Sequence, residues 1–165
     1  MIIEFKEDKI NDIAKAQVLA WKKTFKGILS DKLLSNLIVE KFEENWKRIL
    51  LQKERKNFIW LNEYEEGLGF ISFGKPKDKN ELADFEIYGI YVHPQYWKKG
   101  IGFKLMKYGI NSMKKLNPSA KIVLWTMRGN KLSQSFYNRF GFSKNGESRT
   151  SKRNDETFEE VQFEI

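Results

Sequence analysis

The sequence predicts a mixed α/β (α+β) fold in a single domain over residues 1–165, with a mixed central sheet of about seven strands flanked by about four helices. Three observations lead to this. Apolar residues switch along the chain between strand-like runs and the three- and four-residue spacing of amphipathic helices. One strand–helix–strand passage, from residue 82 to residue 126, calls for a right-handed parallel crossover, whereas short polar turns elsewhere call for antiparallel hairpins. Finally, 165 residues, 41% hydrophobic and 15% aromatic, supply one substantial core but not two.

Taken in order, Ile2 to Phe5 is a short apolar run stopped by charge, a first strand. Ile10, Ile13, Ala14, Val18 and Trp21 then recur at helical intervals up to Lys23, and Gly27 follows as a stop. Ser30-Asp31 caps a second helix reaching nearly to Gln52, with a break expected near Val39. Asn57 to Asn62 and Leu68 to Gly74 pair across a Glu65-Glu66-Gly67 turn, and Lys75 to Glu81 is a polar loop. Leu82 to Val92 is the candidate central strand, ended by His93-Pro94 because proline lacks a donor. Gly100 to Leu116 is helical, with Asn117-Pro118 as its stop, and Lys121 to Thr126 is a buried strand. Asn130 to Phe140 is a helix closed by Gly141, with Leu132, Phe136 and Phe140 as its expected buried stripe. Phe142 to Thr150 and Thr157 to Ile165 form a last hairpin around Asn154-Asp155.

The most informative stretch is Tyr91 to Lys104, YVHPQYWKKGIGFK. Glycines at 100 and 102 let successive N–H groups converge, and the following helix adds its unpaired first-turn amides and positive dipole end. Lys98 and Lys99 add mobile positive charge. The combination reads as a phosphate cradle. It is neither GxxxxGK[ST] nor GxGxxG, whose third glycine would fall on Leu105.

A formal charge of +8 and a pI near 9.5 favour an acidic partner, whether nucleotide-bearing cofactor, anionic substrate, nucleic acid or membrane surface. The absence of cysteine excludes a disulfide, a thiolate nucleophile and a cysteine-ligated metal. His93, the single histidine, reads as a loop residue, and no carboxylate–histidine cluster suggests a metal. The N-terminus MIIEFKEDKI is too charged for a signal sequence and no apolar run is long enough to span a bilayer, so a cytoplasmic protein without membrane attachment is expected.

YVHPQYWKKGIG followed by NKLSQSFYNRFGF, in this element order, resembles the GCN5-related N-acetyltransferase (GNAT) superfamily. The family's phosphate signature is Gln or Arg, two residues, Gly, one residue, then Gly or Ala; Trp97, Gly100 and Gly102 stand at those positions, so Trp97 is a departure. Asn130, Phe136, Tyr137, Gly141 and Phe142 match a second family feature. The resemblance implies acetyl transfer from acetyl-CoA to a primary amine in a ternary complex, with no metal, in a fold whose middle parallel strands splay apart to admit the pantetheine arm. Ile90, Tyr91 and Val92 stand where strand backbone pairs with that arm. Trp97, Lys98, Lys99, Gly100, Ile101, Gly102, Phe103 and Asn130 complete the expected cofactor-binding set.

Amide formation needs a neutral amine, stabilisation of charge on the thioester oxygen and a proton for the departing thiolate. The resemblance points to Glu86 as the base, since its distance from Trp97 matches that of the catalytic glutamate in histone-type members; ordered water is the alternative. Strand alternation puts Glu86 on the face of Tyr88, Ile90 and Val92 unless Gly89 marks a bulge. Tyr137, about 100° around its helix from Phe136, is the expected acid, and a backbone N–H near Val92 the expected oxyanion donor. Trp21, Phe25 and Trp46 are read either as core or as walls of the amine pocket. Two other readings compete: a non-catalytic CoA-binding regulatory module, and a basic nucleic-acid-binding protein, although no nucleic acid is expected as a partner. Monomer and homodimer both remain compatible with the sequence, and the acceptor amine is unspecified.

Overall fold

The computed structural model describes residues 1–79 and 81–165. Seven strands form one sheet: β1 (Ile2–Glu4), β2 (Lys56–Leu61), β3 (Gly67–Gly74), β4 (Phe85–Val92), β5 (Ile122–Met127), β6 (Ser143–Arg153) and β7 (Glu156–Glu164), in the order β1-β2-β3-β4-β5-β7-β6. The helices are α1 (Ile10–Thr24), α2 (Asp31–Ser35), α3 (Val39–Leu50), α4 (Ile101–Leu116) and α5 (Lys131–Asn138). The long second helix expected from the sequence is therefore two, separated near Val39. Ser30 starts the first, its hydroxyl accepting from the Leu33 N–H at 3.1 Å.

Apolar residues sort onto two faces of the sheet. On one, Ile13, Ala14 and Val18 of α1 and Phe42, Trp46 and Ile49 of α3 pack on Ile59 and Phe70. On the other, Leu105, Met106 and Met113 of α4 pack on Ile71, Phe73, Ile87, Ile122 and Leu124. Covered on both faces, β3 is buried at every position. Helix α4 approaches it closely at Gly109, where a Cβ would lie 2.5 Å from the Ile71 Cδ1. Among the described residues, no helix is long and apolar enough to cross a membrane.

The site is created by an interruption in the sheet. Strands β4 and β5 are parallel neighbours only from Phe85–Ile122 to Ile87–Leu124. Beyond that, Gly89 to Val92 pair only with β3, and Trp125 to Met127 only with β7. Two backbone edges thus diverge without partners. The divergence begins at a bulge: Ser72 pairs with Gly89 and Phe73 with Ile87, leaving Tyr88 unopposed. An extra residue on one strand raises local twist and swings β4 away from β5.

The same bulge resets which way the side chains face. Ile87, Ile90 and Val92 all pack on the α4 side, and Tyr91 on the α1/α3 side. Glu86, adjacent to Ile87, therefore faces the α1/α3 layer with Tyr88 rather than sharing a face with Ile90 and Val92. Of the two arrangements the sequence left open, alternation or a bulge marked by Gly89, the pairing shows the bulge.

Candidate active site

Past β4, the chain makes a short 3₁₀ turn at Pro94–Tyr96, in which the His93 Nδ1 accepts the Gln95 N–H at 3.3 Å. The loop then passes through Lys98 (φ 63°) and Gly100 (φ 82°), both left-handed, before α4 begins. Gly100 is the residue before the helix and offers no side-chain cap. The first intrahelical bond runs from the Lys104 N–H to the Gly100 carbonyl at 3.0 Å, so the N–H groups of Ile101, Gly102 and Phe103 have no acceptor within the helix. These three residues line a cleft.

The cleft, of about 460 Å³, runs from Ile90, Tyr91 and Val92 at the end of β4, past Trp97, Lys98 and residues 100–103, to Phe136, Tyr137 and Arg139 of α5 and its end. It combines an unpaired strand edge, a helix N-terminus and cationic side chains from two elements. Such a site suits an extended ligand with amide groups at one end and anionic oxygens at the other. Tyr137 lines it while its ring packs against Phe136, Phe142 and Phe163. Burial pushes its phenol up to about 12, which keeps the proton on at neutral pH. Tyr91 is shifted in the same direction by the same cause.

Beside the cleft, on the α1/α3 face of the sheet, lies a second cavity of about 270 Å³, lined by Gln17, Trp46, Arg55, Lys77, Tyr88 and Tyr91 among others. Tyr91 walls both spaces.

Residues 21–142 match the acetyltransferase (GNAT) family. The chain belongs to this family. Among relatives, the "Uncharacterized N-acetyltransferase YuaI" of Bacillus subtilis is 33% identical over 106 residues, a stretch covering 64% of this chain and 60% of the relative. The "Spermidine N(1)-acetyltransferase" of Thermoplasma acidophilum is 28% identical over 149 residues, covering 86% of this chain and 89% of its own. Among solved structures, a PaiA N-acetyltransferase of Thermoplasma acidophilum in complex with coenzyme A superposes with a TM-score of 0.76 at 21% identity, covering 98% of this chain and 96% of that one. The protein is a GNAT-type acyltransferase with the mixed seven-stranded sheet of that fold.

Within this GNAT fold, the residues singled out from sequence fall into distinct places. Ile90, Tyr91, Val92, Trp97, Lys98, Gly100, Ile101, Gly102, Phe103 and Tyr137 converge on the cleft. Lys99 does not line it; its ammonium sits 4.9 Å from the Tyr96 ring. Asn130 is buried and caps α5, accepting from the Ser133 N–H at 3.1 Å and donating to the Ser133 hydroxyl at 2.6 Å. Trp97 turns its indole N–H back onto the Val92 carbonyl at 2.7 Å.

Glu86 lies outside the cleft. It is 4% exposed, at the closed end where β4 and β5 still pair, and its Oε2 accepts the Lys77 N–H at 2.8 Å. Trp46, 1% exposed, packs between Phe5 and Phe70, with its indole N–H on the Gln17 Oε1 at 2.8 Å. Trp21 and Phe25 contact each other at 4.7 Å; Trp21 also lies 6.2 Å from the Tyr91 ring, and its indole nitrogen is buried. The Arg153 guanidinium stacks over Trp21 at 4.1 Å.

The expected stripe of α5 is rotated. Tyr137 is its buried residue, whereas Leu132 is 61% exposed and Phe136 and Phe140 are half-buried. The helix turns toward Phe142 and Phe163, and Phe140 meets Phe103 of α4 at 4.8 Å. Cleft residues not anticipated from sequence are Ala20 and Thr24 of α1, Tyr96, Ser133, Ser135 and Arg139, with Leu132 and Phe136 as lining residues. The arginine had a signal, since it lies one turn or less after the tyrosine on a helix already assigned to the site. Among the described residues, no three His, Cys, Asp or Glu side chains gather as a metal site.

Proposed function

We propose that the protein transfers an acetyl group from acetyl-CoA to a primary amine by direct attack in a ternary complex. The observation that supports this best is the continuous cleft from the unpaired edge of β4 to the free amides at the start of α4, with the protonated Tyr137 phenol along its wall. In this reading the backbone of Ile90, Tyr91 and Val92 pairs with the pantetheine amides. The N–H groups of Gly100, Ile101, Gly102 and Phe103 hold the pyrophosphate, and Lys98 and Arg139 neutralise it. Trp97 shapes the loop rather than supplying a polar contact, and Lys99 and Asn130 support the site from behind, through Tyr96 and the α5 cap.

The amine enters from the α1/α3 side, past Trp21, Phe25 and Trp46. An ammonium first loses a proton to water, because a solution pKa of about 10 leaves the amine mostly charged at neutral pH. Nitrogen then attacks the thioester carbon while a β4 backbone N–H near Val92 stabilises the oxygen. The C–N bond forms, the C–S bond breaks and Tyr137 gives its proton to the departing thiolate. Glu86 acts at a distance, as the terminus of a water chain, since it lies outside the cleft and its carboxylate is engaged by the Lys77 N–H.

Thiol release from acetyl-CoA, measured over a panel of amines, tests the assignment. Saturable CoA binding with no turnover on any amine would instead identify a CoA-binding module, and salt-sensitive nucleic-acid binding undiminished by CoA would identify the third reading.

A further inference from the structure

The second cavity says something about the acceptor that neither family nor fold specifies. Its charged lining residues are Arg55 and Lys77, and the remainder are amides, aromatics, Ile49 and Gly89. Arg55 lies 4.6 Å and Lys77 5.0 Å from the Tyr88 ring. The Arg55 Nε–H donates to the Ser72 hydroxyl at 2.7 Å, which in turn donates to the Asn57 Oδ1 at 2.6 Å. This relay holds the guanidinium by its Nε, and among the described residues its terminal nitrogens form no further side-chain hydrogen bond. Among the described residues, neither cation forms an ion pair within 4.0 Å. Glu86, the acid whose charge acts on both cations, spends an oxygen on the Lys77 backbone N–H, and Glu160 acts on Lys77 more weakly. Gln17 accepts the Trp46 indole N–H, so the free end of its amide is a donor as well.

Donors therefore converge on a polar cavity that shares the Tyr91 wall with the cleft. Resting on the acetyl-transfer reading, we propose that the acceptor amine carries an anionic group, carboxylate or phosphate, held by Arg55 and Lys77 in this cavity while its amino end reaches past Tyr91. A polyamine would meet two cations there and no lining carboxylate. This separates the chain from what its Thermoplasma relative's name implies for that protein. Desolvation lowers the pKa of both Arg55 and Lys77, with Glu86 acting in the opposite direction; a bound anion would reinforce Glu86.

The test uses acceptors matched in length: 5-aminopentanoate, pentylamine and 1,5-diaminopentane, with 3-aminopropyl phosphate to tell carboxylate from phosphate. In kcat/KM, the better anionic acceptor is expected to exceed both pentylamine and the diamine by about tenfold or more, the scale of a charge-assisted hydrogen bond. Arg55→Met and, independently, the loop variant Lys77→Met should each shrink that ratio at least about threefold, while Arg55→Lys retains more of it than Arg55→Met. Preference for the diamine or pentylamine, or an anionic preference untouched in both Met variants, overturns the proposal. Calorimetric binding of 5-aminopentanoate and 3-aminopropyl phosphate to the CoA-loaded protein reads the subsite without chemistry. Binding weakened by Lys77→Met, with no turnover of any amine, would sustain the subsite and sink the acetyl-transfer reading; no binding of either anion would sink the subsite.

Discussion

The indole N–H of Trp97 donates to the carbonyl of Val92 at 2.7 Å, tying the glycine-loop side of the cleft to the end of the strand that forms its other wall. A glutamine or arginine at this position would ordinarily point a polar group toward the ligand. Here the side chain closes the loop on itself, and the Lys23 ammonium covers its ring at 4.9 Å. In the proposed acetyl-transfer reading, anion binding then falls to backbone amides whose geometry depends on Gly100.

Gly100→Val should accordingly harm CoA binding more than Trp97→Gln. The left-handed φ of 82° at Gly100 costs a β-branched residue about 1–2 kcal/mol, and relieving it turns the amides away. Trp97→Gln keeps a donor for Val92. Calorimetry with CoA is expected to show a Kd raised about tenfold or more for the valine variant and only a few-fold for the glutamine variant. The reverse ranking contradicts this account of the loop.

Tyr137→Phe should lower kcat by about 100-fold, in the range of a lost general acid, with little change in CoA affinity or thermal midpoint, because the ring packing survives. A stability effect accompanies it at high pH. The folded phenol titrates at about 12 against an ordinary 10.0, so its contribution is intact below pH 10 and is lost as pH rises through the folded value. The phenylalanine variant should therefore resist alkaline unfolding better than wild type, measured by far-ultraviolet dichroism against pH.

Glu86→Gln distinguishes a direct base from a distant one. Glutamine can still accept the Lys77 N–H, so fold and loop are expected to persist. If the amine proton leaves through water, kcat falls less than about tenfold; a loss of about 100-fold or more would restore Glu86 as the immediate base.

Trp46→Ala should cost about 3–5 kcal/mol in a urea titration, the scale of emptying a large buried site, because the residue is 1% exposed and wedged between Phe5 and Phe70. A near-neutral result would return Trp46 to the role of pocket wall alone.

Features set by a few adjacent residues were legible from the sequence, and those set by packing were not. The Asn154-Asp155 turn, the Ser30 cap and the glycine loop each depend on local backbone chemistry, and each is where its residue types put it: Asn154 has φ 53° and Gly100 has φ 82°. The parallel crossover followed from connection length and handedness. The bulge at Tyr88 was only conditionally legible, since Gly89 permits it but the decision rests on how β3 pairs with β4. The rotation of α5 was not legible, because Tyr137 and Phe136 are equally able to be buried and the choice is made by Phe142 and Phe163. The cationic cavity was hidden for the same reason. Arg55, Lys77 and Gln17 are far apart in sequence, and only the packing of α1 and the two loops beside β4 brings them together.

The most direct test of acetyl transfer in this cleft is the rate of thiol release from acetyl-CoA with the amine panel, wild type beside Tyr137→Phe, with the acetylated amine identified by mass spectrometry. Stoichiometric acetyl-amine and CoA from wild type, with kcat about 100-fold lower in the variant, is the predicted result. No acetylated product from any amine, or identical rates in the two proteins, contradicts it.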